Sequence, residues 1–400
     1  MGFPRGLRLF RKTMSGDKIF EGVFGVTSAD VVRTLQKHFN PSKTFAPWLS
    51  DEAARRDREN PSQKRRRRTK KLEVKIGHGG TLDPLATGVL IAGVGKGTKS
   101  LSDFLACTKS YEAIILFGAE TDTYDRLGKI VRRDPYEHVT REAVEKALDQ
   151  FRGKIMQRPP IFSALRVDGK KLYEYAREGK MPPIEIKSRP VETINIEIME
   201  WYEPGTHDYK WPDVEMVGDE KIVAEKLLAK EAEGIKEDAT EGAIEESEAS
   251  SKRKTPAESV QEENQDSSKK QKITESGEAR EVATEAVAEP ATSEVPTESP
   301  TEVTELSQTK PQPPAIKIKM TVTSGFYVRS LAHDLGKAVG SSALMSELVR
   351  SRQGEYELQP ERVLEYKDLE AGEDVWGPKV QKFLEEWERK RVEALKGGSK

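Results

Sequence analysis

The chain is poor in the residues that most often build metal centres and cross-links. Its 400 residues hold one cysteine, Cys107, and five histidines. A lone thiol excludes an internal disulfide and a multi-thiolate metal site, and the histidines show no HxxxH or HxxEH spacing. A reducing compartment and chemistry without a metal are therefore expected. Long apolar runs are missing too: none approaches the roughly 18 to 20 residues that cross a bilayer, which argues against a membrane span. Hydrophobic residues make up 35% and charged residues 34% of the chain. That is lean for a protein folded along its whole length, so part of it is expected to stay unfolded.

What is abundant is charge, and it is segregated. The formal net charge is -2, but from Glu203 to Pro314 there are 28 Asp and Glu against 13 Lys and Arg, a net of -15 that leaves +13 to the remainder. The part able to fold is thus basic, as a surface for a polyanion would be. Residues 203–314 are rich in Glu, Ala, Ser, Thr, Pro and Lys, with scarcely an aromatic beyond Trp211. Such a stretch buries too little apolar surface to offset its chain entropy and is expected to be disordered. Before it, Val191, Ile194, Ile196 and Ile198 approach alternation; after it, Ile316, Ile318, Met320 and Val322 alternate with Lys317, Lys319, Thr321 and Thr323. Both read as half-buried strands. The acidic stretch is then an insertion in the loop between two strands of one sheet, and motifs on either side of it converge in space.

Elsewhere strands and helices alternate. Thr27 with Asp30 forms a capping box for a helix bearing Val31, Val32, Leu35 and Phe39. Thr140 caps a helix bearing Val144, Leu148 and Phe151 and closed by Gly153. Tyr111 to Phe117 reads as a buried strand, and Val328, Leu331, Leu335 and Val339 mark one helix face. Leu344, Met345, Leu348 and Val349 are read as a further helix, and Val380, Phe383, Leu384, Trp387 and Leu395 as an amphipathic packing helix in a charged tail, 371–400. The first sixteen residues carry Arg5, Arg8, Arg11 and Lys12 and no acid. That is the composition of a transit peptide, although a frayed basic terminus over 1–17 is the preferred reading.

One stretch stands apart: "KIGHGGTLDPLATGVLIAGVGKGTK", Lys75 to Lys99, has seven glycines and a single acid, Asp83. A phosphate cradle fails on spacing, since Gly95-Lys96 is followed by Gly97 and preceded by Leu90 where GxxxxGK[ST] needs glycine; GxGxxG fails at Leu82. Hydrolysis of a glycosidic bond usually needs two carboxylates, and Asp83 has no local partner. A redox-neutral rearrangement that recaptures the cleaved group needs only one.

Four segments then carry a resemblance. "GHGGTLDPLATGVL", "KSYEAIILFGAETDTYDRLGKIV", "RPPIFSALRVDGKKLYEYAREG" and "SGFYVRSLAHDLG" resemble, in order, the catalytic loop and three further motifs of the TruB-type tRNA pseudouridine synthases, over roughly residues 20 to 202 and 315 to 355. The resemblance implies an α+β catalytic fold, a central and largely antiparallel sheet flanked by helices, in residues 18–202 and 315–370. It implies isomerisation of uridine to pseudouridine at position 55 in the TΨC loop of tRNA, with no cofactor and no metal.

Site residues follow from the same resemblance. Asp83 is the essential carboxylate, attacking the nucleoside or removing a sugar proton, and Arg329 pairs with it. Tyr111 stacks on the target base and takes the C5 proton, Tyr327 is an aromatic of the pocket, Leu348 its floor, and His78 enters the RNA loop. The bland readings are a turn aspartate, a surface arginine, packing aromatics and leucine, and a hydrogen-bonded histidine. The basic run Lys64 to Arg68, including Arg65 and Arg66, fits contacts to tRNA phosphates. It fits a nuclear localisation signal equally well, as does Lys252 to Lys254 with Lys269, Lys270 and Lys272. A monomer acting on the TΨC arm of tRNA, with mRNA as a further substrate, in the nucleus and also the mitochondrion, is the resulting expectation.

Two departures stand out. The Lys-Pro-x-Gly turn of the family's N-terminal motif is missing, since Val23-Phe24 runs directly into Gly25-Val26-Thr27-Ser28. Codons lost from the gene reading are preferred to a shortened strand. No C-terminal PUA domain of the bacterial kind is expected either, which fits the eukaryotic branch. The rival reading is an RNA-binding or tRNA-folding protein of the same fold with impaired catalysis.

Overall fold

The structure, a computed structural model, describes residues 7–12, 25–68, 70–163, 165–177, 183, 186–218, 221–222, 224–225 and 312–397. The expected second basic signal, Lys252 to Lys272, and the core of the acidic stretch lie outside them.

The chain opens with β1 (Leu7–Lys12), α1 (Ser28–Phe39), α2 (Ala46–Asp57), α3 (Pro61–Arg67), β2 (Ile76–His78), β3 (Thr87–Val94), α4 (Leu101–Ala106) and β4 (Lys109–Phe117). It continues through β5 (Ala119–Thr121), β6 (Ile130–Arg133), α5 (Arg141–Leu148), β7 (Gly153–Gln157), β8 (Arg166–Val167), β9 (Lys170–Lys171), α6 (Leu172–Arg177) and β10 (Arg189–Tyr202). After the acidic stretch come β11 (Ala315–Val322), α7 (Val328–Ala338), β12 (Ala343–Gln353), β13 (Tyr356–Glu357), α8 (Tyr366–Glu370) and α9 (Glu373–Gly397).

Nine strands form one sheet in the order β1-β3-β12-β4-β11-β10-β7, with β2 on β3 and β13 on β12. Its pairings are antiparallel except that of β12 with β3. The fold is α+β, as expected. β4 is central and buried on both faces apart from half-buried Glu112, which is why its apolar run is nearly continuous. One face packs against α1, α5, α7 and α9 through Leu35, Leu148, Leu331 and Phe383.

β10 and β11 are neighbours, paired from Thr193 with Val322 to Tyr202 with Ala315. The acidic stretch therefore leaves and re-enters the sheet at adjoining strand ends, as the alternating patterns implied. Its boundary is different. Residues 203–218, assigned to the disordered insertion, pack on the sheet: the Trp211 indole donates to the Phe117 carbonyl at 2.8 Å, and Tyr209 and Trp211 cover a cluster of Ile114, Leu116, Ala315 and Leu344. These aromatics close the second face of the central strands, which the composition average over 203–314 concealed.

Two other expectations change, and the packing role expected of the C-terminal helix is sharpened. Ala343–Gln353 is a strand, not a helix. Register shifts against β4 at Met345/Glu347 and Arg350/Arg352 break the two-residue alternation, so Leu344, Met345, Leu348 and Val349 fall at a spacing that imitates a helix. Residues 7–12, expected in a frayed extension, add an edge strand whose backbone pairs with Gly88 to Gly93 of β3. The C-terminal segment is part of the core: Trp376 is 2% exposed and stacks on Phe39 at 4.9 Å. Burying an aromatic of that size stabilises by roughly 3 kcal/mol.

Candidate active site

Asp83 lies in the connection from β2 to β3. The Ala86 amide donates to the Asp83 carbonyl at 3.0 Å, closing a tight turn through Asp83-Pro84, as Asp-Pro favours. The loop rests on the start of α1. Thr27 and Asp30 form the capping box expected there, and the hydroxyl of Ser28 accepts from the Leu82 amide at 2.9 Å. Gly25 supports the loop by its lack of a side chain, since a Cβ there would sit 2.3 Å from the Pro84 carbonyl oxygen. The residues that remain of the shortened N-terminal motif thus still hold the loop from below.

Arg329 is the second residue of α7, 246 positions from Asp83 in the chain. Its Nε donates to one carboxylate oxygen at 3.0 Å and a terminal nitrogen donates to the other at 2.9 Å. This two-point match of planar groups is the geometry that arginine forms and lysine does not. The remaining donors reach the carbonyls of Thr123 and Phe162, each at 3.0 Å. Asp125 is a second carboxylate, 3.9 Å from Arg329 Nε. Burial alone would lower the guanidinium pKa; Asp83 and Asp125 outweigh it, and the net direction is up. Burial drives Asp125 to about 6, against the pull of Arg329.

A cavity of about 350 Å³ opens beside this pair, and Asp83, Tyr111, Tyr327, Arg329, Leu348 and Arg350 line it. Tyr111 and Leu348 reach it from adjacent strands, β4 and β12. Tyr327 caps α7, where Gln157 of β7 grips its backbone from both sides, accepting from the amide at 2.7 Å and donating to the carbonyl at 3.0 Å. Burial raises the phenols of Tyr111 and Tyr327. Five sequence-derived candidates therefore meet at one cavity.

Three do not line it. His78 ends β2 just before the loop, half-buried, with burial lowering its imidazole pKa. Arg65 and Arg66 are exposed on α3, which Asn60 and Gln63 start as a capping box. Their neighbour Arg67 turns inward to Glu52 and Glu59, each at 3.3 Å.

Sequence reading missed Asp125, Gln157 and Arg350. Asp125 lies in "TDTYDRLG", where Tyr124 takes a left-handed φ of 60° and stacks on His333 at 3.9 Å. A cluster of short polar residues ahead of Gly128 was the available signal.

Comparison with known proteins follows the same residues. Residues 64–214 match the TruB family pseudouridylate synthase (N terminal domain). The tRNA pseudouridine synthase 4 of Schizosaccharomyces pombe is 38% identical over 351 residues, 87% of this chain and 80% of that protein. Its namesake in Saccharomyces cerevisiae is 31% identical over 380 residues, 93% of this chain and 85% of that protein. The tRNA pseudouridine synthase B of Bacteroides fragilis is 48% identical over 134 residues, 34% of this chain and 57% of that protein. The chain belongs to the TruB family of pseudouridylate synthases.

Proposed function

We propose that the protein is a tRNA pseudouridine synthase that isomerises uridine to pseudouridine at position 55 in the TΨC loop. The names of its fungal relatives support tRNA as the substrate, and the motif resemblance supports the position. One observation carries the reading: the single carboxylate of the glycine-rich loop is clamped at both oxygens by Arg329 beside an aromatic-lined cavity.

The chemistry cleaves the bond between the ribose and N1, turns the base and rejoins it through C5. A uridine inside its RNA stack is out of reach of Asp83, so the base is extruded into the cavity. There Tyr111 offers a ring face for stacking and a polar tip, Leu348 an apolar floor and Tyr327 a wall. Asp83 initiates the cleavage, and Arg329 fixes the direction of both its oxygens. His78 enters the RNA loop, and Arg65 and Arg66 meet phosphates away from the cavity, supplying affinity without sequence choice.

An unmodified tRNA transcript tests this. The protein is expected to form pseudouridine at the target uridine, and Asp83→Asn to lower that rate by about 10⁴-fold with RNA affinity kept. Binding without product by the unaltered protein would instead make it an RNA-binding or tRNA-folding member of the family.

A further inference from the structure

The cavity holds a second buried arginine for which the scheme above has no task. Arg350 is 1% exposed and stands on β12 opposite Tyr111 of β4. The strands crowd here, since a Cβ on Gly88 would lie 2.3 Å from the Arg350 carbonyl oxygen. The ion pairs among the described residues do not include Arg350. Its Nε donates to the Val89 carbonyl at 2.7 Å, and its terminal nitrogens approach the carbonyls of Thr81 and Gly80 at 3.5 Å. Arg350 and Tyr111 face each other across the two strands and line the same cavity, so the guanidinium charge acts on the phenol. A guanidinium held away from water without a counter-ion costs several kcal/mol. Neutral carbonyls offset that only in part, so the site retains a net positive charge directed at one phenol.

We propose that Arg350 is a positioning residue whose charge, facing Tyr111 across the cavity, stabilises the Tyr111 oxygen as an anion while it takes the C5 proton of the recaptured base. The inference rests on the isomerase reading above. Tyr111 first releases its phenolic proton to solvent. Once the ring has rejoined the ribose, C5 carries both the sugar bond and its hydrogen, and N1 is double-bonded to C6. The C5 proton passes to the phenolate and its electron pair becomes the C5–C6 double bond. The displaced π pair moves to N1, which takes a proton from water. One proton leaves to solvent and one returns, so the sum is an isomerisation.

The charges around the phenol fit this role. Burial disfavours the phenolate and Arg350 opposes that, while Asp83 from the loop and Cys107 at the end of α4 add to the effect of burial. Lys109, Tyr327 and Arg329 line the same cavity, with the Lys109 ammonium turned to the carbonyls of Leu105 and Cys107 at 2.9 and 2.6 Å and Arg329 engaged by Asp83. Arg350 is the cation that stands directly opposite Tyr111 on the neighbouring strand.

Single-turnover rates on three tRNA transcripts, with uridine, C5-deuterated uridine or 5-fluorouridine at the target, test the proposal. The fluorinated base has no C5 proton to remove, so it reports the earlier steps alone. Arg350→Met is expected to slow the uridine reaction by about 10²-fold, to show a C5 deuterium isotope effect larger than that of the unaltered protein, and to keep gaining rate at pH values where the unaltered protein has levelled off. Its rate with 5-fluorouridine should be unchanged, and Arg350→Lys should restore much of the loss. Equal losses on uridine and 5-fluorouridine with no new isotope effect would overturn the proposal and make Arg350 a strut for the loop. An unchanged uridine rate would overturn it as well. If Arg350→Met does not fold, Arg350→Gln, which keeps amide donors but loses the charge, is judged by the same selective loss. Absence of pseudouridine with the unaltered protein would reject the isomerase reading itself.

Discussion

Arg329 and Arg350 line one cavity, both nearly stripped of water, but their charges are met differently. Arg329 faces two carboxylates, at 2.9 and 3.9 Å, whereas Arg350 faces three carbonyls and a phenol. The end of α7 is electrically closed, and its partners are locked in one geometry. The β12 side retains positive charge where an anion can form. On the proposal made for Arg350, the charge with a counter-ion serves orientation and the one without serves a charge that appears during the reaction.

The comparison breaks most visibly at Arg329. Arg329→Met leaves Asp125 buried with no cation, and losing one partner of such a pair costs about 3–5 kcal/mol. Chemical denaturation should show that loss, and single-turnover rates should fall by roughly 10³-fold because Asp83 is no longer oriented. A stable and active Arg329→Met would mean that the cavity, not the clamp, sets the geometry.

A smaller effect belongs to Asp125. Its pKa in the fold, about 6, lies above that of a free aspartate, so its contribution to stability is fully present below the unfolded value and is lost as pH rises through about 6. Activity should run the other way: above about 6 the carboxylate is charged and draws Arg329 into place, and below it that pull disappears. Asp125→Asn should cost about tenfold in rate, or ~1.4 kcal/mol, and should flatten the acid limb of the pH profile near 6. Persistence of that limb would assign it to another group.

The smallest effect is expected from the acidic stretch. Joining residue 225 to residue 312 through a short flexible linker should change the rate by less than about twofold, because loop-closure entropy varies slowly with length. Carrying the deletion back to residue 205 removes Tyr209 and Trp211 from the sheet and should lower stability by roughly 2–4 kcal/mol. Equal outcomes for the two deletions would mean that this cover is not needed.

Which parts were legible in the sequence follows from the range of the forces. The capping box at Thr27, the cap at Thr140 and the two strands flanking the acidic stretch are set by neighbours a few residues apart, and each appears where expected, except that a bulge at Thr193/Asn195 leaves Ile194 exposed. The β12 strand was misread because two bulges shift its phase, a feature imposed by β4 and invisible within the segment itself. Trp211 was the one aromatic noticed in an otherwise featureless composition, and its partner, the Phe117 carbonyl, lies 94 positions away. Arg350 carries no local spacing that marks it and Asp125 only a cluster of short polar residues; their burial beside Tyr111 and Arg329 is what marks them.

By itself the sequence determined the chemistry available: one acid on a glycine-rich loop, an arginine at the start of a helix, tyrosines on either side of an insertion, and no thiol or histidine cluster for a metal. Only the tertiary structure decided that Asp83 meets Arg329 across 246 residues, that Tyr209 and Trp211 belong to the folded part, and that Arg350 stands opposite Tyr111. Local preferences fix the period of each element, but which side chains meet depends on strand order, register and bulges. Those are settled by burying the whole sheet at once.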